Sequence, residues 1–527
     1  VVHIRLRNSM PDQLTTRIQG GSFGSLRGFI GYSPEVKHGD AVIAYEGSYT
    51  DGPFQNPLGY RRDNVTASYL RRVSSRDTFG IKLNGGRNDF TSSGQIPLDQ
   101  VVSGELDRFG YIDPTQGGRV RNGTVAAYWR RDGAAGQVLK VDGFLTRSLF
   151  DLFSNFTYNL NDPERGDGIL QHDSRLMEGA NFQYLLPHKL RGAQALFTAG
   201  GNFHDNQILV GLDSRAGRAP VDVITRANAR VTNAAWYAQQ SLNLFHNRLQ
   251  LGGGLRYDQF RFGVRDRVDS TASGAQLAGR WQPKASIAYT PSSRLPLTFH
   301  ANYGRGISTS DARVIVQRPE SQRIATTDFY QFGTSHRIGR VSATTDLFLI
   351  DRSAEQVYLA DDGTFEFKGP SRAYGWESKL GLEINRYVSL FGGVTKVGNV
   401  YFRGTGPREY VTNAPHFVAN AGLTVSSWRG WSGSLRMRAI NHYRLDGFDS
   451  SVLAAGHTVW DFGLARRVRR GVELNLTIDN LTDRSYWETQ NYYESRLAGQ
   501  QAMSRIHATP GYPLTLMAGI TFRMFGK

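Results

Sequence analysis

The side chains that could do chemistry are few and scattered. The chain has twelve histidines and no cysteine, so thiolate metal sites, disulfide frameworks and cysteine nucleophiles are excluded. No pair of histidines stands at metal-ligand spacing beside carboxylates. The nearest approach is GDGILQHDSR, Gly166–Arg175, where Asp167, His172 and Asp173 could offer ligands. Their spacing matches no calcium loop, and a solvated loop is the simpler account. Serine contexts supply no strand–turn–helix nucleophile elbow. The residues predict no enzyme, no cofactor and no resident metal.

Binding is better served. WETQNYYESR, Trp487–Arg496, groups aromatics with an arginine, a combination that stacks on and pairs with an anionic chelate. Tyr492, Tyr493 and Arg496 are the candidate ligand contacts, whereas Tyr486 and Trp487 fit an aromatic belt at an interface. Arg305 and Arg313 are further candidates, placed toward an interior, with structural pairing as the alternative role.

The elements that must position these residues are strands. In GVELNLTID, Val472, Leu474, Leu476 and Ile478 share one face, with Glu473, Asn475, Thr477 and Asp479 opposite. SGSLRMRA sets Leu435, Met437 and Ala439 against Arg436 and Arg438. The pattern recurs from end to end, and helical periodicity is nearly absent. In PGYPLTLMAGITFRM, Pro510–Met524, Leu514, Leu516, Ala518, Ile520, Phe522 and Met524 share one edge. One face is apolar while the other carries full charges, which suits a wall between lipid and water. A lipid-facing Arg or Lys costs roughly 2–4 kcal/mol at the bilayer midplane, so charges belong to the lumen side. Unpaired backbone groups in hydrocarbon cost several kcal/mol each, so such a sheet must close on itself.

Composition fits. Hydrophobic residues reach only 39%, and no run approaches the ~18 apolar residues of a membrane helix, but barrel strands hide their apolar residues at alternate positions. Lys and Arg number 62 against 46 Asp and Glu, a net charge of +16. The arginines are dispersed and no helix-turn-helix, zinc-finger or RNA-binding signature occurs, so nucleic acid is not an expected partner. The opening VVHIRLRNSM lacks the apolar core and cleavage site of a signal peptide.

Connections alternate short and long. Short turns include Ser33–Asp40, Arg131–Gly136, Leu186–Gly192, His246–Arg248, Arg337–Arg340, Asn385–Tyr387 and Trp428–Trp431. Long Gly-, Asp- and Ser-rich segments lie between them: Gly85–Arg121, Asn206–Arg226, Arg352–Ser371 and Arg484–Thr509. The expected fold is all-β: a transmembrane antiparallel barrel of about 22 strands, with short periplasmic turns and long extracellular loops. A β-propeller is excluded because no repeat of ~40–50 residues appears. A soluble β-rich binding or adhesion protein is disfavoured by the charges lining one face of so many strands.

In order along the chain, the motifs resemble the TonB-dependent outer-membrane receptors of Gram-negative bacteria. VVHIRLR (Val1–Arg7) resembles the last strand of that family's plug, and IQGGSFGSLRGFIGYS (Ile18–Ser33) its first barrel hairpin. YEGSYTDGPFQNPLGYRRDN (Tyr45–Asn64), GLRYDQFRF (Gly254–Phe262) and YGRGISTSDARVI (Tyr303–Ile315) are similar to family patterns. NLTDRSYW (Asn480–Trp487) and the terminal strand resemble the family's ending. Met524 departs from it by standing where an aromatic is usual, which bears on recognition by the barrel-assembly machinery.

The resemblance implies residues 1–12 as the remnant of the last plug strand and linker, and 13–527 as barrel. It implies a monomer in the outer membrane that imports a scarce extracellular small molecule. A ferric siderophore or other metal chelate is expected first, with cobalamin or an oligosaccharide also within the family's range. TonB coupling would run through a plug domain outside this chain. The opening inside a plug-like strand implies that a plug precedes it; without one, a passive porin-like channel is the alternative. The basic surplus would meet lipopolysaccharide and outer-membrane lipid outside, or an acidic plug inside.

Overall fold

The computed structural model describes residues 7–292, 296–317, 323–359, 364–404 and 406–526. Of the expected plug remnant, residues 1–6 lie outside these.

Twenty-two antiparallel strands close into one barrel, joined in the same sheet by two two-residue pieces, Glu35–Val36 and Tyr401–Phe402. Each barrel strand pairs with its sequence neighbours. The circle is closed by the first strand, Asp12–Gly21, against the last, Thr515–Gly526, in the register Leu14↔Met524 and Ile18↔Ile520. The terminal strand divides as its alternation predicts. Leu516 and Met524 stay exposed on the outer face, while Thr521 is fully buried on the inner face and accepts from Arg17 Nε at 3.0 Å. Arg523, also inward, pairs with Glu473 at 3.1 Å. Gly519 is needed for closure, because a Cβ there would meet Gln19 Cγ and Ile18 O at 2.5 Å.

One rim carries tight turns. Arg191-Gly192 (φ 48° and 85°) and Arg429-Gly430 (φ 50° and 83°) put both central residues at positive φ, which matches the twist of an antiparallel pair. The opposite rim carries the long segments, which fold over the barrel mouth. One expected loop is not a loop. Asn206–Arg226 continues the strands Ala193–Ala216 and Ala219–Leu244 as a ladder beyond the wall, turning only at Gly217-Arg218. The aliphatic residues Ile208, Leu209, Val210, Val221, Val223 and Ile224 favour paired strand, and glycine interrupts them too rarely to stop it.

The lumen wall holds its charges in pairs. Glu46 takes both Arg27 and Arg62. Asp461 takes Arg436 at 2.9 Å and Arg438 at 3.1 Å. Asp258 binds Arg256 at 2.6 and 2.8 Å and also accepts from Asn233 at 3.2 Å. These carboxylates are 8% exposed or less except Glu46, at 16%, so each is neutralised where it is buried. No described helix is long and apolar enough to cross a membrane.

Candidate ligand-binding site

One connection on the long-loop rim turns into the lumen. After the strand Leu297–Thr309 the chain forms a short helix, Ala312–Gln317, before the strand Ile324–Ile338. Asp311 starts it, its Oδ1 accepting from Arg313 N at 2.9 Å. A six-residue helix is marginal alone, so its docking decides its place. Ala312 and Ile315 pack on Ala227, Ala229, Phe262 and Val264, all on the lumen face of two neighbouring strands. Here apolar residues stand on the inner face because the helix, not water, covers them.

Under this segment opens a recess of about 490 Å³. Its polar lining includes, from three strands and the helix, Asp173, Arg175, His204, Asn206, Asn233 and Arg313. Arg175 holds Asp173 in a fork of 2.6 and 2.7 Å, and Arg313 holds Asp311 at 3.0 and 3.2 Å. Asn206 Oδ1 is buried with no hydrogen-bond partner among the described residues. A buried oxygen left so costs about 1–3 kcal/mol, which a ligand donor would recover. Guanidinium forks beside amides suit a ligand rich in anionic oxygen.

The sequence candidates scatter. Arg313 lies in the recess. Arg305, expected toward the interior, faces outward: it shares its face with Phe299 and Tyr303, opposite Tyr330 and Asp328 in register, and Tyr330 and Phe299 are exposed on the outer wall. Its partner is Asp328, at 2.9 Å through both nitrogens. The other three hold loops together. Trp487–Ser495 and Met503–Pro510 form a hairpin joined by Ile96–Pro97, and Tyr492 packs with Tyr443, Leu445 and Ile506. Tyr493 stacks on His507 at 3.9 Å, and Arg496 Nε donates to Asn159 O at 2.6 Å.

In GDGILQHDSR, Asp167 accepts from the amides of Leu160 (2.8 Å) and Asp162 (2.7 Å) and so organises its own loop. His172 turns to Asp151 at 2.7 Å, and Asp173 to Arg175. Among the described residues no group of three or more His, Asp or Glu could hold a metal. The letters Gly20-Gly21-Ser22-Phe23-Gly24 match G-x-S-x-G, but Ser22 lies in a hairpin turn and accepts from Leu516 N at 3.0 Å.

Sequence reasoning missed Arg175, His204, Asn206, Asn233 and Asp311 as a group. Their only local signal is inward parity, which many lumen residues share.

His507 is fully buried in the loop layer and meets Ser495 Oγ through Nε2 at 2.9 Å. Burial, helped by the nearby Arg505 charge, pushes its pKa down to about 4. Its ordinary value is 6.5. A folded value below the unfolded one means that the opened layer takes up protons first. The layer is therefore at full strength above about pH 6.5 and weakens as pH falls toward 4, by roughly 3 kcal/mol. Amide exchange across 487–510, corrected for intrinsic rates, should rise over that window. His507→Gln should abolish the dependence; an unchanged pH profile in that variant would refute this role.

Comparison with known proteins agrees with this architecture. The sequence matches the family described as TonB dependent receptor-like, beta-barrel, over residues 16–481. A search of characterised protein sequences finds no match. The fold is similar to the ferric-catecholate import receptor Fiu of E. coli K12 in its closed form, at TM-score 0.80 and 15% identity, covering 98% of this chain and 82% of that one. The unliganded ferric citrate transporter FecA matches at TM-score 0.80 and 13% identity, covering 98% and 79%. The ferric yersiniabactin uptake receptor FyuA of Yersinia pestis matches at 0.78 and 13%, covering 99% and 81%. With closure, strand number, inward-turned loop and family match in agreement, the chain belongs to the TonB-dependent receptor β-barrel family.

Proposed function

We propose that this chain is the barrel of an outer-membrane receptor of a Gram-negative bacterium that imports a metal chelate, a ferric siderophore foremost, with energy delivered through TonB. The observation that carries the ligand class is the recess under Ala312–Gln317, where the Arg175 and Arg313 guanidiniums converge; the unpartnered Asn206 oxygen asks the same ligand for a donor. Anionic oxygen donors of a ferric chelate fit guanidinium forks and amides better than an uncharged sugar does. The receptors and transporters it resembles in fold support the same class, and nothing favours a passive channel. TonB contact would be made by a plug domain, and the outer loop residues Tyr492, Tyr493 and Arg496 would frame the entrance to the recess.

The test is uptake of iron-55 chelates by cells producing the complete receptor, with and without TonB. Uptake should need TonB, and R175A or R313A should weaken binding about tenfold, the order expected when one charge-assisted pair is lost. Barrel assembly, read by heat-modifiable gel migration, should not change. TonB-independent uptake would point instead to a channel.

A further inference from the structure

Dispersed along the sequence, the turn arginines gather on one rim of the barrel. On the long-loop half, Asp63, Asp205, Asp213, Asp258, Asp328 and Asp351 each hold an arginine. On the other rim acids are scarce, although every short turn carries a lysine or arginine. Much of the net charge of +16 therefore lies at the short turns, on the periplasmic side of such barrels.

The charge is densest over three adjoining hairpins, 371–397, 417–440 and 457–479. Their turns hold Arg386, Arg429, Arg467, Arg469 and Arg470, all exposed, and no carboxylate. The acids that flank these turns are engaged, Glu383 with Arg337 at 2.7 Å and Glu473 with Arg523 at 3.1 Å. None of the five arginines has a carboxylate partner among the described residues. The turns are tied edge to edge. Ser426 N donates to Tyr387 O at 2.8 Å, Arg467 N to Gly430 O at 2.9 Å, and Arg466 Nη1 to Arg429 O at 2.6 Å. Six strands at about 4.8 Å spread this arc over roughly 24 Å. Tyr387 and Trp431 belong to the aromatic belt at the membrane interface, with Arg386 over Tyr387 at 4.5 Å and Arg466 over Trp431 at 4.7 Å. Arg429, Arg469 and Arg470 stand at the turn tips, on the water side of that belt.

We propose that this arc docks the barrel on peptidoglycan, the guanidiniums pairing with carboxylates of its stem peptides. A row of unpaired cations in the plane of the membrane, far longer than one headgroup, fits an extended polymer that repeats its carboxylates. Each exposed pair is weak alone, but tethering along one strand makes every later pair intramolecular. The inference rests on the outer-membrane placement and not on what the receptor imports, and iron-55 uptake reports the second without the first.

The test is co-sedimentation of the chain, in a neutral detergent, with purified sacculi. Retention is expected at low ionic strength and should be lost by about 0.5 M salt, where exposed charges are screened. The triple variant Arg467→Gln, Arg469→Gln, Arg470→Gln should weaken retention about tenfold. An equal loss of charge on the long-loop side, Arg261→Gln, Arg265→Gln, Arg267→Gln, should leave it unchanged. Heat-modifiable migration should show an intact barrel in both. Sacculi whose carboxylates have been converted to amides should retain nothing. Equal loss in the two triple variants, salt-resistant retention, or retention by amidated sacculi would overturn the proposal. So would displacement by phosphatidylglycerol in mixed micelles, the mark of a lipid contact, or by poly-glutamate at equal carboxylate concentration, the mark of an acidic protein partner.

Discussion

Replacing Arg215 by methionine should unlatch the long loops from the mouth of a barrel that itself stays closed. The Arg215 side chain is 1% exposed at the end of the strand Ala193–Ala216. Its Nη2 donates to Asp113 Oδ2 at 2.8 Å and to Ser154 O at 3.0 Å, and its Nε donates to Ile169 O at 3.0 Å. Its Nη1 reaches Thr115 Oγ1 and Gly217 O. One guanidinium thus joins the loop 92–116, the strand ends Ser154 and Ile169 that flank the loop 155–168, and the projecting hairpin. Methionine keeps much of the volume but none of the donors, so the Asp113 carboxylate loses its guanidinium, keeping Thr115 and Asn155, and the Ser154, Ile169 and Gly217 carbonyls lose that donor. Breaking a buried pair from one side costs about 3–5 kcal/mol. Amides of 92–116 and 155–168 should exchange orders of magnitude faster, while heat-modifiable migration remains that of an intact barrel. Arg215→Lys, which restores charge without the fork, should fall between. Unchanged protection in R215M would mean that the loops are held by their apolar contacts instead.

The contrast between barrel and site shows what one sequence discloses. Alternation is a local property: Leu474 and Leu476 announce their face within a few residues, and the strand count follows from the turns. The same rule would have placed Arg305 correctly, since Phe299, Ala301 and Tyr303 set the outward parity two residues at a time. What overrode that reading was the expectation that charge belongs inside, which holds only within the apolar band. Above it the rule reverses: on Leu249–Asp266, Arg261 and Arg265 face out while Phe260, Phe262 and Val264 face in. The recess was illegible for another reason. Asp173, His204, Asn233 and Arg313 meet only because three strands pair in one register and one loop turns inward, and neither fact is written near any of them. Tyr493 and Arg496 hold loops together, a role that loop aromatics and arginines fill with the same residue types as ligand contact, so the sequence does not separate the two.

That reversed face also makes Phe262 the lever on the lumen. Phe262 is fully buried between the wall and Ala312 and Ile315 of the inward helix. Truncation of such a phenylalanine to alanine costs about 3–5 kcal/mol, more than a helix of one and a half turns can supply from its own hydrogen bonds. In Phe262→Ala the segment should leave the wall, carrying Arg313 out of the recess. Two readouts follow. Exchange of the Ala312–Gln317 amides should approach the unprotected rate, and ion conductance of the chain in a planar bilayer should rise as the segment ceases to narrow the lumen. Phe262→Leu, which keeps most of the apolar contact, should hold both near wild type. If conductance and exchange stay unchanged in Phe262→Ala, the Asp311 cap and the flanking strands must anchor the segment without the cluster. The pairing with R215M separates two layers: loosening the outer loops should not free the helix, because Arg215 makes no bond to it, and freeing the helix should leave the outer loops latched. A variant that moved both together would show that mouth and recess open as one unit.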